Sequence, residues 1–172
     1  CPMSPFAEMY GLNGAAISAV NLVRGMARLV GWKVIDVPGA TAYLDTDYAA
    51  KGRYALDALD NYDIELVHVE APDEASHEGE LKEKIQAIEK VDGEIVGPVL
   101  SRGAETDLRV LVMPDHRTPL SERTHTREPV PFAMWGKGIE TRSGHPLNER
   151  EATETGVKFK RGHKLMGKLV RG

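Results

Sequence analysis

Cysteine is nearly missing from this sequence: Cys1 is the only one in 172 residues. That excludes an intrachain disulfide and a metal cage built on thiolates, and both absences suit a reducing compartment, so a cytoplasmic protein is expected. Lysine and arginine form no run and the formal net charge is -4. The chain therefore lacks the basic footprint that a phosphate backbone requires, and no nucleic-acid partner is expected. No apolar stretch reaches the roughly 18 residues needed to cross a bilayer, and no charged segment followed by an apolar one opens the chain, so no membrane partner is expected either. The sequence starts Cys1-Pro2-Met3 without an initiator Met, which suggests a piece of a longer polypeptide.

What is present is a balanced mixture, 41% hydrophobic and 28% charged. A chain of this length and composition can bury a core as one domain. The opening stretch up to Gly11 reads as an irregular connector, with Phe6 and Tyr10 as anchors. Ala15 to Val30 carries apolar residues at three- and four-residue intervals and ends at Gly31, the pattern of a helix with a glycine past its end. Lys33 to Val37 reads as a strand closed by Pro38-Gly39, and Ala49 to Leu59 as a second helix. Asp63 to Glu70 reads as a strand, Leu81 to Leu100 as a helix with a solvated charged face, and Val130 to Trp135 as a last strand. Leu108 to Met113 is apolar almost throughout, which suits a strand covered on both faces in a parallel sheet. The expected fold class is therefore α/β, with a largely parallel sheet flanked by helices.

In such sheets ligands collect beyond the carboxyl ends of the strands. Two of those loops are rich in ligand-type residues. One is Glu70-Ala-Pro-Asp-Glu-Ala-Ser-His77; the other is Pro114-Asp-His116, followed by Thr124-His-Thr126. Asp73 and His77 are four apart and share one face if the loop continues as a helical turn. Asp115 and His116 are adjacent, and both can turn toward one site only if Pro114 ends the strand. Imidazole and carboxylate together suit a borderline divalent ion such as Mn²⁺ or Zn²⁺, and two neighbouring ions can clamp a phosphoryl group. Five donors are too few to complete two ions, each of which needs about three protein ligands. Taken singly, Asp73 also reads as a helix cap and His77 as a surface residue; their joint placement with Asp115, His116 and His125 is what points to metal.

The remaining candidates read as structural. His68 lies within a strand as a satisfied core or interface histidine, and His145 and His163 lie in the charged tail. Gly39 to Thr46 is a turn without a phosphate-binding glycine fingerprint or lysine. Cys1 stands in a connector, a poor place to hold a nucleophile.

The stretches Gly14-Ala-Ala-Ile-Ser-Ala-Val20, Val37-Pro-Gly-Ala-Thr41 with Leu44-Asp-Thr46, Val67 to His77, Pro114-Asp-His116 through Arg123-Thr-His-Thr126, and Pro129-Val-Pro-Phe132 resemble the archaeal-type cofactor-independent phosphoglycerate mutases. These belong to the alkaline phosphatase superfamily, and the resemblance runs from about Phe6 to Trp135. It implies a three-layer, alkaline phosphatase-like fold with two divalent ions, Mn²⁺ or Zn²⁺, with Mg²⁺ or Co²⁺ as further options. Asp73, His77 and His125 would hold one ion, and Asp115 and His116 the other. A metal-binding portion over 1–135 would be followed by a weakly patterned extension over 136–172. The resemblance also implies interconversion of 3-phosphoglycerate and 2-phosphoglycerate, in glycolysis and gluconeogenesis, through a phosphoserine intermediate. The nucleophilic serine and a further aspartate are expected from an N-terminal part of the same protein or from a partner chain, because neither Ser18, read on a helix, nor Ser76 matches it. Ser76 stands where the pattern has glycine. Alternatives are a homoserine kinase-like or phosphatase member of the superfamily, or a catalytically incomplete metal-binding fragment.

Overall fold

Gly14–Ile17 forms a strand, β1, whose four residues are all buried. It lies between β2 (Lys33–Ile35) and β3 (Ile64–Val67) in a parallel sheet of order β2-β1-β3. The computed structural model describes residues 3–140 and 144–171. Among these, the chain divides into two compact units: the stretch up to Val99 with Leu120–Thr124, and Leu100–Pro119 with the stretch from His125 onward.

In the first unit, the helix expected from Ala15 to Val30 is instead a strand, a turn at Ser18–Val20, and a shorter helix, α2 (Asn21–Leu29). The misreading has a physical cause. A central strand is covered on both faces, so Ala15, Ala16 and Ile17 show no alternation, and their apolarity merges with the helical spacing beyond them. Ala16 packs with Ala27 of α2, Val34 of β2 and Trp32. The expected connector contains a short helix, α1 (Phe6–Tyr10), and the anchor is as anticipated: Phe6 is buried, its ring edge-on to Trp32 and tilted against Tyr10.

The second helix, α3 (Tyr48–Ala58), starts where Asp47 accepts a 2.7 Å bond from the Ala50 amide. Its buried positions Tyr48, Lys51, Ala55 and Ala58 recur at helical spacing. After β3 come α4 (Ala71–Glu78) and α5 (Leu81–Lys90). The latter runs on through a π-helical turn, Val91–Val96, into α6 (Gly97–Gly103). Tyr48, Ala71, Ala87 and Ile95 form the core of this side, with Leu44, Val67, Val69 and Val91 against it.

Gly52 is where α3 meets the π-helical turn, and a Cβ there would stand 2.5 Å from the Glu94 carbonyl oxygen. Backbone cannot give way as a side chain can. Gly52→Ala is expected to destabilise the fold by about 1–3 kcal/mol despite the better helix propensity of alanine, read as a lower thermal midpoint.

In the second unit, β4 (Arg109–Val112) does not take the parallel partner expected of so apolar a run. It pairs antiparallel with β5 (Ala133–Gly136), Arg109 opposite Gly136 and Val112 opposite Ala133. The tail read as weakly patterned contains α7 (Glu149–Glu154), capped by Asn148, and α8 (His163–Arg171). α7, at six residues, is too short for a sequence period to stand out. Arg109 donates to the Leu169 and Val170 carbonyls at 3.0 and 2.8 Å, satisfying acceptors at the end of α8.

Candidate metal centre

In the first unit the ligand-bearing segment after β3 is helical. Glu70 precedes α4, its carbonyl accepting from the Asp73 and Glu74 amides, and Pro72 sits in the first turn, where its missing N–H is harmless. Asp73 and His77 are therefore one turn apart on the same face, with His77 Nε2 3.2 Å from Asp73 Oδ2. Ser76, between them in sequence, is buried, and its hydroxyl donates to the Pro72 carbonyl at 2.6 Å. It faces inward and leaves the ligand face to its neighbours.

The other nitrogen of His77 is also engaged. Nδ1 donates to the Arg123 carbonyl at 2.8 Å, so the ring is oriented with Nε2 toward Asp73. A backbone carbonyl on one nitrogen is how metal-ligating histidines are commonly held. The segment that supplies it is strained: Arg123 has φ 52, the only left-handed non-glycine among the described residues. Arg123 also lies over Gly79, the left-handed residue closing α4, where a Cβ would come within 2.6 Å of the guanidinium. The Arg123 carbonyl pushes the His77 imidazole above its ordinary pKa, with the Asp73 and Glu74 carboxylates adding to it. A proton on Nε2 competes with a metal ion. An ion bound here would be expected to gain affinity with rising pH as His77 loses its proton, later than an unperturbed imidazole would; titrations at stepped pH would check this.

In the second unit β4 stops at Val112, before Pro114, so Asp115 and His116 lie in a loop as their joint use requires. The His116 amide donates to Asp115 Oδ1 at 3.0 Å, and His116 Nδ1 is 3.1 Å from Thr118 Oγ1. An isolated antiparallel bridge between Arg117 and Thr126 brings the two motifs together, and the His116 and His125 rings stack at 3.7 Å.

Sequence reasoning passed over a third cluster. His68 comes directly after the last residue of β3, and Ser18 lies in the turn after β1, not on a helix. Ser18 Oγ is 3.2 Å from His68 Nδ1, and His68 Nε2 is 3.3 Å from Glu70 Oε2. The signal available was two strands each ending in a polar residue. Nearby, Lys51 is fully buried and donates to the Thr41 carbonyl at 3.2 Å. Burial pushes its ammonium below the ordinary lysine pKa, while the Glu70 carboxylate acts in the opposite direction. The Gly39 to Thr46 stretch is a self-bonded turn, Thr41 donating to Asp45 at 2.6 Å. His145 pairs with Glu151 at the surface and His163 opens α8. Cys1 lies outside the described residues.

Comparison with known proteins shows the family. A family profile described as the Metalloenzyme superfamily matches residues 2–166. The chain is 48% identical over 173 residues to a 2,3-bisphosphoglycerate-independent phosphoglycerate mutase of Methanothrix thermoacetophila, covering 99% of this chain and 44% of that protein. It is 46% identical over 164 residues to 2,3-bisphosphoglycerate-independent phosphoglycerate mutase 2 of Methanothermobacter thermautotrophicus, covering 95% and 41%. Among solved structures, the PH0037 protein of Pyrococcus horikoshii superposes with a TM-score of 0.83 at 32% identity, covering 88% of this chain and 46% of that one. The cofactor-independent phosphoglycerate mutase of Thermoplasma acidophilum shares the fold at TM-score 0.66 and 22% identity, covering 91% and 36%. The chain thus spans less than half the length of the relatives it matches.

Proposed function

The chain belongs to the metalloenzyme superfamily, and from that premise we propose that it supplies the C-terminal metal ligands of a 2,3-bisphosphoglycerate-independent phosphoglycerate mutase. Asp73, His77 and His125, a candidate metal-binding triad, take one divalent ion. Asp115 and His116 take a second. Residues 1–135 form the metal-binding portion, and 136–172 a C-terminal extension. The single observation that carries the reading is His77: its ring is fixed through Nδ1 by the Arg123 carbonyl and aimed through Nε2 at Asp73, the way metal-ligating histidines are commonly held.

Imidazole and carboxylate donors fit Mn²⁺ or Zn²⁺, with Mg²⁺ or Co²⁺ as further candidates. Bound there, the ions would neutralise phosphate charge and favour an ionised serine nucleophile. What these residues do is more limited. Asp73 and Asp115 bring negative charge that offsets the ions, and the Arg123 carbonyl fixes the His77 ring. The serine that carries the phosphoryl group between the 3- and 2-hydroxyls of phosphoglycerate comes from an N-terminal part of the same protein or a partner chain. No helix among the described residues is long and apolar enough to cross a membrane, and a cytoplasmic place is proposed.

The test is turnover by the full-length protein. Interconversion of 3- and 2-phosphoglycerate that needs a divalent ion and no bisphosphoglycerate supports the reading. Phosphorylation of homoserine from ATP, or net release of phosphate without isomerisation, would replace it with a kinase or a phosphatase built on the same site.

A further inference from the structure

The sheet order β2-β1-β3 means that the chain leaves β1 toward one neighbour and returns past it to the other. The carboxyl ends of β1 and β3 flank the point where the order reverses, which is where open α/β sheets place their chemistry. Ser18 and His68 stand at those two ends, and the His68 amide donates to the Ile17 carbonyl at 2.8 Å, continuing the ladder beyond the last residue of β3. Ser18 is not placed to react. It is almost fully buried, and its hydroxyl oxygen already accepts the Val20 amide at 3.0 Å. His68 instead joins two fixed points: Ser18 through Nδ1 and the Glu70 carboxylate through Nε2.

Glu70 matters because α4 begins at the next residue. Its carbonyl holds the first turn of α4 through the Asp73 and Glu74 amides, and no side chain caps that helix. Beside the packing of Ala71 into the core, its carboxylate, 3.3 Å from His68 Nε2, ties the start of α4 back to the end of β3. Rotation of α4 by a fraction of a turn would re-aim Asp73 and His77 together, because both project from the same face.

We propose that Ser18, His68 and Glu70 form a brace for the metal centre, in which His68 is a positioning residue that sets the roll of α4 and so the aim of Asp73 and His77. The inference rests on the proposed metal reading and adds three residues that make no contact with an ion. Groups that orient metal ligands typically influence affinity by 10- to 100-fold, and His68 is expected to act at the lower end, about tenfold, because it works through a helix.

The test is Mn²⁺ titration of the protein, monitored by electron paramagnetic resonance and calorimetry, in wild type and three variants. His68→Ala removes both contacts and is expected to weaken Mn²⁺ about tenfold. In His68→Gln the amide stands near the place of Nε2, keeps Glu70 tied, and retains most of the affinity. In His68→Asn it stands near Nδ1, reaches Ser18 only, and behaves like alanine. Val34→Ala, in the other core cluster, serves as a stability control: it lowers the thermal midpoint of the metal-free protein and leaves Mn²⁺ affinity unchanged. Wild-type binding with all three His68 variants equal to it overturns the brace and leaves the metal reading standing. The brace is equally overturned if affinity tracks thermal midpoint across the His68 variants and Val34→Ala alike. Wild type that binds neither Mn²⁺ nor, in a parallel calorimetric titration, Zn²⁺ overturns both.

Discussion

Between about pH 4.5 and pH 8 the unfolding free energy of the protein is expected to fall by about 3–5 kcal/mol through one group, Glu65, and Glu65→Gln is expected to abolish most of that dependence. Glu65 lies on β3, in register with Ala15 of β1. Both of its carboxylate oxygens are buried without a hydrogen-bond partner among the described residues. Burial pushes its pKa from 4.5 up to about 8. The folded protein therefore keeps a proton that the unfolded chain has already released, and in that window it binds more protons than the unfolded state does. Stability is full below the unfolded value, falls with rising pH, and levels off once Glu65 ionises in the folded state. Chemical denaturation at stepped pH measures this directly. The variant should match wild type near pH 5 and exceed it above pH 8; parallel curves would mean that the carboxylate is solvated or paired.

The second large effect concerns metal. The double variant His77→Ala, His125→Ala is expected to lose saturable Mn²⁺ or Zn²⁺ binding by more than about 100-fold, since it removes two of three donors from the proposed ion. Asp73→Asn keeps the shape of that side chain and removes its charge. It is expected to weaken binding while leaving the His77 ring anchored on Arg123. Calorimetric titration with folding checked by circular dichroism distinguishes loss of the site from loss of the fold. Binding that survives the double variant would place the ion elsewhere and sink the assignment of this triad.

Much of the candidate site was legible because it is local. Asp73 and His77 are four residues apart, Pro72 and Gly79 mark the limits of the turn that carries them, and a helical turn between those limits puts both on one face. Pro114 likewise ends β4 early enough to free Asp115 and His116. The resemblance named the ligand set from those same motifs, and the stacking of His116 on His125 places two of them together in the second unit. The carbonyl that holds His77 was not legible. It comes from Arg123, 46 positions away, and a backbone group leaves no trace in residue identity.

The sequence by itself determined the chemistry of the candidate ligands, the helical spacing of Asp73 and His77 and the α/β class, because each of these is carried by residues within a few positions of one another. Tertiary structure alone decided three further matters. It made Gly14–Ile17 a central strand, where burial on both faces erases the period that would have revealed it. It gave the apolar run at β4 an antiparallel partner, a choice between distant segments that composition does not encode. It also joined Ser18 to His68 across 50 positions and enclosed the Glu65 carboxylate without a hydrogen-bond partner among the described residues. In each case the deciding energy is one of pairing and desolvation between segments far apart in the chain, and that energy exists only once the segments have met.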